Sequence, residues 1–290
     1  MPMLVIGEAL VDVVRENGHA TSVPGGSPAN VAVGLARLGQ KATLHTSLGD
    51  DEAGRAVRAH LEESGVSLSP ESITTAPTTI ATADINSDGD ASYSFAIEWD
   101  PAAIDPRGAD VVHTGSLGAW LPSGAAAVGG MLAAARTAGA LLTFDPNIRT
   151  SLITDEEATR ALIAERIMAS DIVKMSDEDA AWLYPGASED EVLDIALAAG
   201  PRIVALTRGG EGAVIATSEH RLSRPSAPVT VADTIGAGDT FMTILVDEAR
   251  ALVADPSEAA LERVLDRALR AAAITVSRPG PDLPWADEMA

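Results

Sequence analysis

VADTIGAGDTFMT spans Val231 to Thr243. A Gly-Ala-Gly turn, Gly236 to Gly238, leads into a segment with helical character. Residues this small let successive N–H groups converge on one point. A helix N-terminus also carries about half a positive charge, so the segment reads as an anion-binding nest. Asp239 follows directly, where its own charge repels a bound anion. An N-terminal cap alone does not require Gly-Ala-Gly before it. Phosphoryl transfer accounts for both features. The amides of Gly236, Ala237 and Gly238 hold the charge developing on the moving phosphoryl, and Asp239 takes the proton of the attacking hydroxyl.

Along the chain, short apolar runs alternate with helical stretches. Strands are expected at Leu4–Ile6, Ala42–Ser47, Val111–Thr114, Leu141–Phe144, Ile172–Lys174, Ile203–Thr207 and Ala213–Ala216. Helices are expected at Ala29–Leu38, Asp51–Ser64, Ser123–Ala138, Glu156–Ala169, Ser176–Leu183, Glu189–Ala199, Asp239–Ala254 and Glu258–Val276. Helices of this length between buried strands imply right-handed βαβ crossovers. The fold class is therefore α/β, with a mostly parallel central sheet flanked by helices on both faces. Ligands of such sheets bind beyond the carboxyl ends of the strands. Alternating segments around Asn17-Gly18 and Asp88-Gly89 break the rhythm and read as two hairpins. They make a small β-sheet lid from two discontinuous segments, about residues 11–23 and 78–100, on one α/β domain spanning 1–290.

With 20 basic and 42 acidic side chains the formal charge is −22, which disfavours nucleic acid or anionic lipid as a partner. The chain has no cysteine, which excludes disulfides, thiolate catalysis and cysteine metal sites. MPMLVIGEAL enters a strand at once with no basic leader, and Gly124 to Leu142 is broken by Arg136, so neither a signal peptide nor a membrane span is expected. A cytoplasmic location fits. GxxxxGK[ST], GxGxxG and GxSxG motifs are all missing. His19, His45, His60, His113 and His220 lack ligand spacing and read as structural or surface residues.

Five other segments can carry chemistry. In PGGSPANVAVGLARLG, Gly25 and Gly26 permit close backbone approach, Ser27 reads as an N-cap before Pro28, and Gly39 ends the helix. Asn30 offers donor and acceptor to a sugar hydroxyl, although taken alone the segment reads first as a well-capped strand–turn–helix junction. Asp12 in GEALVD can accept two hydroxyls or satisfy its own backbone at a hairpin start. LLTFDPNIR places Asp145, Asn147 and Arg149 after a strand. IVKMSDEDAAWLYP places Lys174 at a strand end and Ser176 to Asp179 at a helix start, where Asp177 and Glu178 suit the helix dipole. Thr207 and Arg208 precede Gly209-Gly210, either a plain turn or exposed backbone under a nucleotide.

Together these segments resemble the ribokinase-like (phosphofructokinase B type) carbohydrate kinases over nearly the whole chain. PGGSPANVAVGLARLG is similar to the N-terminal family motif and DTIGAGDTF closely matches the C-terminal one. DPNIR, KMSDED, LTRGGEGA and SRPGPDLPW look most like bacterial fructokinases. The resemblance implies a sugar kinase using ATP and Mg²⁺, with K⁺ as a further cofactor and a homodimer formed through the lid. It assigns Asp239 as the base and Gly236, Ala237 and Gly238 as the anion hole. Asp12, Gly25, Gly26, Asn30 and Arg149 fall on the sugar, and Lys174, Thr207, Arg208, Gly210 and Gly238 on the nucleotide side. Asp179 matches an indirect Mg²⁺ position, one methylene shorter than the usual Glu. Backbone carbonyls around Asp233–Ile235 and Ser277–Gly280 would hold a monovalent cation, with Asp233 orienting the site. Met242, Thr243 and Ile244 depart from the small residues common there, so the helix must pack differently. The expected reaction is phosphorylation of D-fructose at a primary hydroxyl. A kinase of ribose, 2-keto-3-deoxygluconate or a nucleoside is the alternative, as is a non-catalytic regulator.

Overall fold

The computed structural model describes residues 1–16, 19–85, 91–97 and 99–290. The chain opens with β1 (Pro2–Ile6), the paired strands β2 (Leu10–Glu16) and β3 (His19–Gly25), α1 (Ser27–Arg37) and β4 (Lys41–His45). Three short strands, β5 (Leu48–Gly49), β6 (Ser67–Leu68) and β7 (Ile73–Thr74), surround α2 (Glu52–Glu63), and β8 (Ile80–Ile85) pairs with β9 (Ala91–Ala96). Alternation then sets in: β10 (Val111–Gly115), α3 (Ser116–Trp120), α4 (Pro122–Thr137), β11 (Leu141–Asp145), α5 (Glu156–Ala169), β12 (Ile172–Ser176), α6 (Asp177–Leu183), α7 (Glu189–Ala199) and β13 (Ile203–Thr207). β14 (Ala213–Ala216), β15 (Arg221–Arg224), α8 (Ala237–Asp247), α9 (Ala249–Ala254) and α10 (Glu258–Val276) follow.

The central sheet has the order β15-β14-β13-β12-β11-β10-β1-β4-β6. All pairings from β13 to β6 are parallel, and β14 and β15 add antiparallel at one edge. Alternate strand residues serve opposite cores. Val5, Ile172, Ile203 and Ala205 pack on the side of α1, α8 and α10. Phe144, Val173, Val204 and Leu206 pack on the other, with Ile163 and Ile167 of α5. Burial on both faces is why the strands read as unbroken apolar runs. β15 escaped the sequence reading because Arg221–Arg224 is polar and half exposed at the sheet edge. The long C-terminal helix expected from Asp239 starts earlier, at Ala237, and breaks at Glu248 into α8 and α9.

The two expected hairpin segments join through a parallel β2–β8 pair into a separate four-stranded sheet, order β3-β2-β8-β9. The Asn17-Gly18 and Asp88-Gly89 turns, and the side chains of Tyr93 and Phe95, lie outside the described residues. Trp99 is not on that sheet's open face. It is buried beside Gly118 and Gly124 and donates to Thr46.

Helices α1 and α8 lie side by side, and Gly34 sets their separation. A Cβ there would stand 2.6 Å from Leu283 Cδ2 and 2.7 Å from Thr243 Oγ1. Thr243, one of the residues departing from the family pattern, turns its hydroxyl back to the Asp239 carbonyl at 2.8 Å. Gly34→Ala is therefore expected to destabilise the fold by about 1–3 kcal/mol, the usual cost of overpacking. Urea unfolding measures this, and an unchanged midpoint would show that the two helices have slack.

Candidate active site

One cleft of about 440 Å³ runs along the carboxyl edge of the parallel strands. Its walls follow the sheet order. Glu8, Leu10 and Asp12 come after β1, Ser116 and Leu117 after β10, and Asn147 to Arg149 after β11. Ser176 ends β12 and leads to Asp177 to Asp179, and Thr207 ends β13 just before Gly209. Ser27 and Asn30 from the start of α1, and Gly236, Gly238 and Asp239 from the start of α8, close it from one side. None of the five histidines lines it.

Asp239 sits where the two helix starts meet. It is 7% exposed and occupies the third position of α8, so it is not a cap. The cap is Gly236, at φ 81°, where a Cβ would also press on Pro281 at 2.8 Å. Ser27 Oγ donates to Asp239 Oδ1 at 2.6 Å, and Asn30 Nδ2 donates to Oδ2 at 2.7 Å. The sequence reading of Ser27 as an N-cap is thus corrected. Gly26, at φ 105°, is the residue before the helix, and the Ser27 hydroxyl is spent on the carboxylate. A Cβ on Gly26 would meet the Glu8 carbonyl at 2.6 Å, and one on Gly25 would strike Asp12 Oδ2 at 2.1 Å. Both glycines are therefore close-approach positions. Gly25 itself does not line the cleft.

Beneath α8 the ammonium of Lys174, 4% exposed, lies 3.0 Å from the wholly buried Asp145. A Cβ on Gly238 would come within 2.9 Å of Lys174 Nζ, so glycine lets this cation reach the mouth of the nest. Burial pulls the ammonium down, but Asp145, Asp179 and Asp239 outweigh it and hold it above its ordinary value. Burial pushes Asp145 up to about 6 despite Lys174, with Asp179 and Asp239 adding to the rise. Asp179 accepts the amides of Ile148 (2.7 Å) and Ser176 (2.9 Å), tying the β11 and β12 loops together. Ala237 turns its amide to the Thr234 carbonyl at 3.3 Å. That leaves the next amides of the first turn as the ones facing outward, as at any helix start.

Similarity to known proteins identifies the family. The description "pfkB family carbohydrate kinase" matches residues 3–288. The chain belongs to the pfkB family of carbohydrate kinases. This kinase is 35% identical over 253 residues to a fructokinase of Rhizobium leguminosarum bv. trifolii, covering 82% of this chain and 77% of that one. It is 31% identical over 296 residues to a fructokinase of Escherichia coli, covering 95% and 93%. Among solved structures, aminoimidazole riboside kinase from Salmonella enterica, complexed with aminoimidazole riboside and an ATP analog, superposes with a TM-score of 0.84 at 26% identity, covering 100% and 98%. The pfkB kinase described here is accordingly a phosphotransferase with an alcohol group as acceptor. No described helix is long and apolar enough to cross a membrane.

Several residues assigned from the sequence lie off the cleft of the kinase. Arg208 leaves Thr207 and Gly209 in the wall and turns into a neighbouring cavity of about 280 Å³, where it meets Glu189 at 3.4 Å and Ser223 at 2.8 Å. Gly210 also lies outside, its carbonyl bonded to Ser226. Ser277 and Gly280 do not line the cleft either, although Ile235 does. Asp233 bridges their loops, accepting the amides of Ile235 at 3.0 Å and Gly280 at 2.9 Å. These bonds hold its carboxyl below its ordinary value.

The sequence reading passed over Glu8. Its carboxylate is 2% exposed, lines the cleft and accepts the Gly118 amide at 2.8 Å at the start of α3, beside Ser116 at φ 52°. Burial pushes it from 4.5 to about 7, against the pull of that amide, the Ser116 hydroxyl and Arg149. The folded kinase therefore keeps this proton where the unfolded chain has lost it. The stabilisation is complete below about pH 4.5 and is lost as pH rises through about 7, a change of about 3 kcal/mol. Urea unfolding of wild type and Glu8→Gln across pH 4.5–8 should show the difference between them moving in the variant's favour as pH rises. A constant difference would mean that Glu8 titrates normally.

Proposed function

We propose that the kinase transfers the γ-phosphoryl of ATP to a primary hydroxyl of D-fructose. The carrying observation is the meeting of Asp239, the α8 start and Lys174 at one point of the cleft. In this reading the acceptor lies toward Glu8, Asp12, Asn30 and Arg149, and ATP lies toward Thr207 and Gly209. The acceptor hydroxyl gives its proton to Asp239 as its oxygen bonds to phosphorus and the bond to ADP breaks. The amides of Gly238 and Asp239, with the Lys174 ammonium, stabilise the charge on the phosphoryl. Among the described residues no group of three acids and histidines could hold a metal alone. That fits Mg²⁺ entering with the phosphates, the usual mode for this ion. Three carboxylates around one ammonium, with Asp145 pushed up, fit a further cation. Mg²⁺ supplies neutralisation of phosphate charge when bound. Asp179, both of whose oxygens accept amides, would act on it through its charge or a bound water.

Fructose is favoured by the names of the curated relatives and by the chemistry of the acceptor end. At that end Glu8 and Asp12 share one cation, Arg149, while Lys174 stands beside Asp239 at the phosphoryl end, which suits a neutral polyol better than an acid such as 2-keto-3-deoxygluconate. The apolar lining residues described, among them Leu10, Leu117 and Leu152, offer no aromatic face for a nucleobase. The solved aminoimidazole riboside kinase keeps a nucleoside acceptor as the second reading. We also propose a cytoplasmic location. A homodimer through the small sheet, where Val14 and Val23 are exposed, is proposed as well.

Two outcomes test the chemistry. Asp239→Asn should lower kcat by about 10²–10⁴-fold in a coupled assay over a sugar panel, the range for a positioned base. A near-normal kcat would remove Asp239 from the reaction, and a preference for ribose or a nucleoside would replace fructose. Asp233→Ala should abolish most of any stimulation by K⁺ in a KCl titration, because the two loops that would hold the ion lose their tie. Unchanged stimulation would place the cation elsewhere.

A further inference from the structure

Ser27 is the first residue of α1, followed by Pro28, and the helix start gains no side-chain cap from it. Its hydroxyl is 2.6 Å from Asp239 Oδ1, within the range of a charge-assisted O–H···O⁻ bond. Asn30 grips the other oxygen at 2.7 Å. The torsion that turns a carboxylate about its own axis is broad and nearly two-fold. One donor on each oxygen removes that freedom. The two donors come from a helix held against α8 by the Gly34–Thr243 contact, so the carboxylate is fixed relative to the cleft wall rather than to its own helix alone.

We propose that Ser27 is a positioning residue for Asp239. By donating to Oδ1 it fixes the plane of the carboxylate so that the remaining lone pairs face the acceptor hydroxyl. This rests on the reading of Asp239 as the base. A base must lie within hydrogen-bond reach and in line with the proton it takes, and a misplaced one costs rate without costing binding. Asn30 keeps a side-chain oxygen not spent on Asp239, whereas the Ser27 hydroxyl is committed to the carboxylate.

The test compares Ser27→Ala and Ser27→Cys with wild type. Cysteine keeps the shape but is a weak donor. Both variants should lose about tenfold in kcat on whichever sugar the wild type phosphorylates, with KM for sugar and ATP within about twofold. Unchanged kcat in Ser27→Ala, a loss confined to KM, or near-wild-type kcat in Ser27→Cys would each overturn the proposal, the last because space-filling would suffice. Wild-type inactivity on every sugar would sink the substrate reading instead. Ser27 is then judged by a double-mutant cycle of Ser27→Ala and Asp239→Ala in urea unfolding. The unfolding constants should depart from multiplicativity by about tenfold, as for a hydrogen bond to a charged group. Strict multiplicativity would overturn the contact itself.

Discussion

The approach of α1 to α8 fixes the distance on which the site depends. Gly34 leaves room for Thr243 and Leu283, and no side chain larger than hydrogen fits between them. The helix starts then lie close enough for Ser27 and Asn30 to reach the Asp239 carboxylate. Two segments far apart in the chain thereby become a single wall of the cleft. Thr240 extends the same economy inward, bonding both the Gly236 carbonyl and the Thr275 hydroxyl of α10 at 2.8 Å. The turn before α8 is thus fastened to the helix that packs beneath it.

Charge is distributed along the cleft as tightly as geometry. Lys174 is surrounded by Asp145, Asp179 and Asp239, an excess of negative charge on largely buried side chains at the wall of the cleft. A polyphosphate entering alone would meet repulsion from these acids. One entering with a divalent cation would not. Asp179 also carries structural load, since its two oxygens close the α6 capping box and hold Ile148. The same groove edge therefore owes its order to a residue that also lines the cleft.

Much of this was legible in the sequence. The period of apolar runs marked the parallel sheet because strands buried on both faces cannot alternate. GAGD and PGGSPAN stood out because backbone at close approach demands small residues, and that demand is local. The failures had distant causes. Ser27 reads as a cap from its neighbours, and only a carboxylate from the far end of the chain claims its hydroxyl. Glu8 lay in a quoted motif but carried no local mark, because what buries it is the turn at Ser116 and the amide of Gly118. Arg208 follows a wall residue in sequence, yet Glu189 and Ser223 draw its side chain away from the cleft. β15 lacked apolar content since an edge strand need not be buried.

The small sheet has a mechanical link to the chemistry. β3 ends at Gly25 and α1 begins at Ser27, so a single glycine separates the sheet from the residue bonded to Asp239. Any tilt of the sheet is either absorbed as torsion at Gly26 or transmitted to the Ser27 hydroxyl. Gly26 packs on the Glu8 and Ala9 backbone at φ 105°, where a Cβ would stand only 2.6 Å from the Glu8 carbonyl. The place of the sheet and the place of the Ser27 hydroxyl are thus tied through a joint one residue long that only glycine fits.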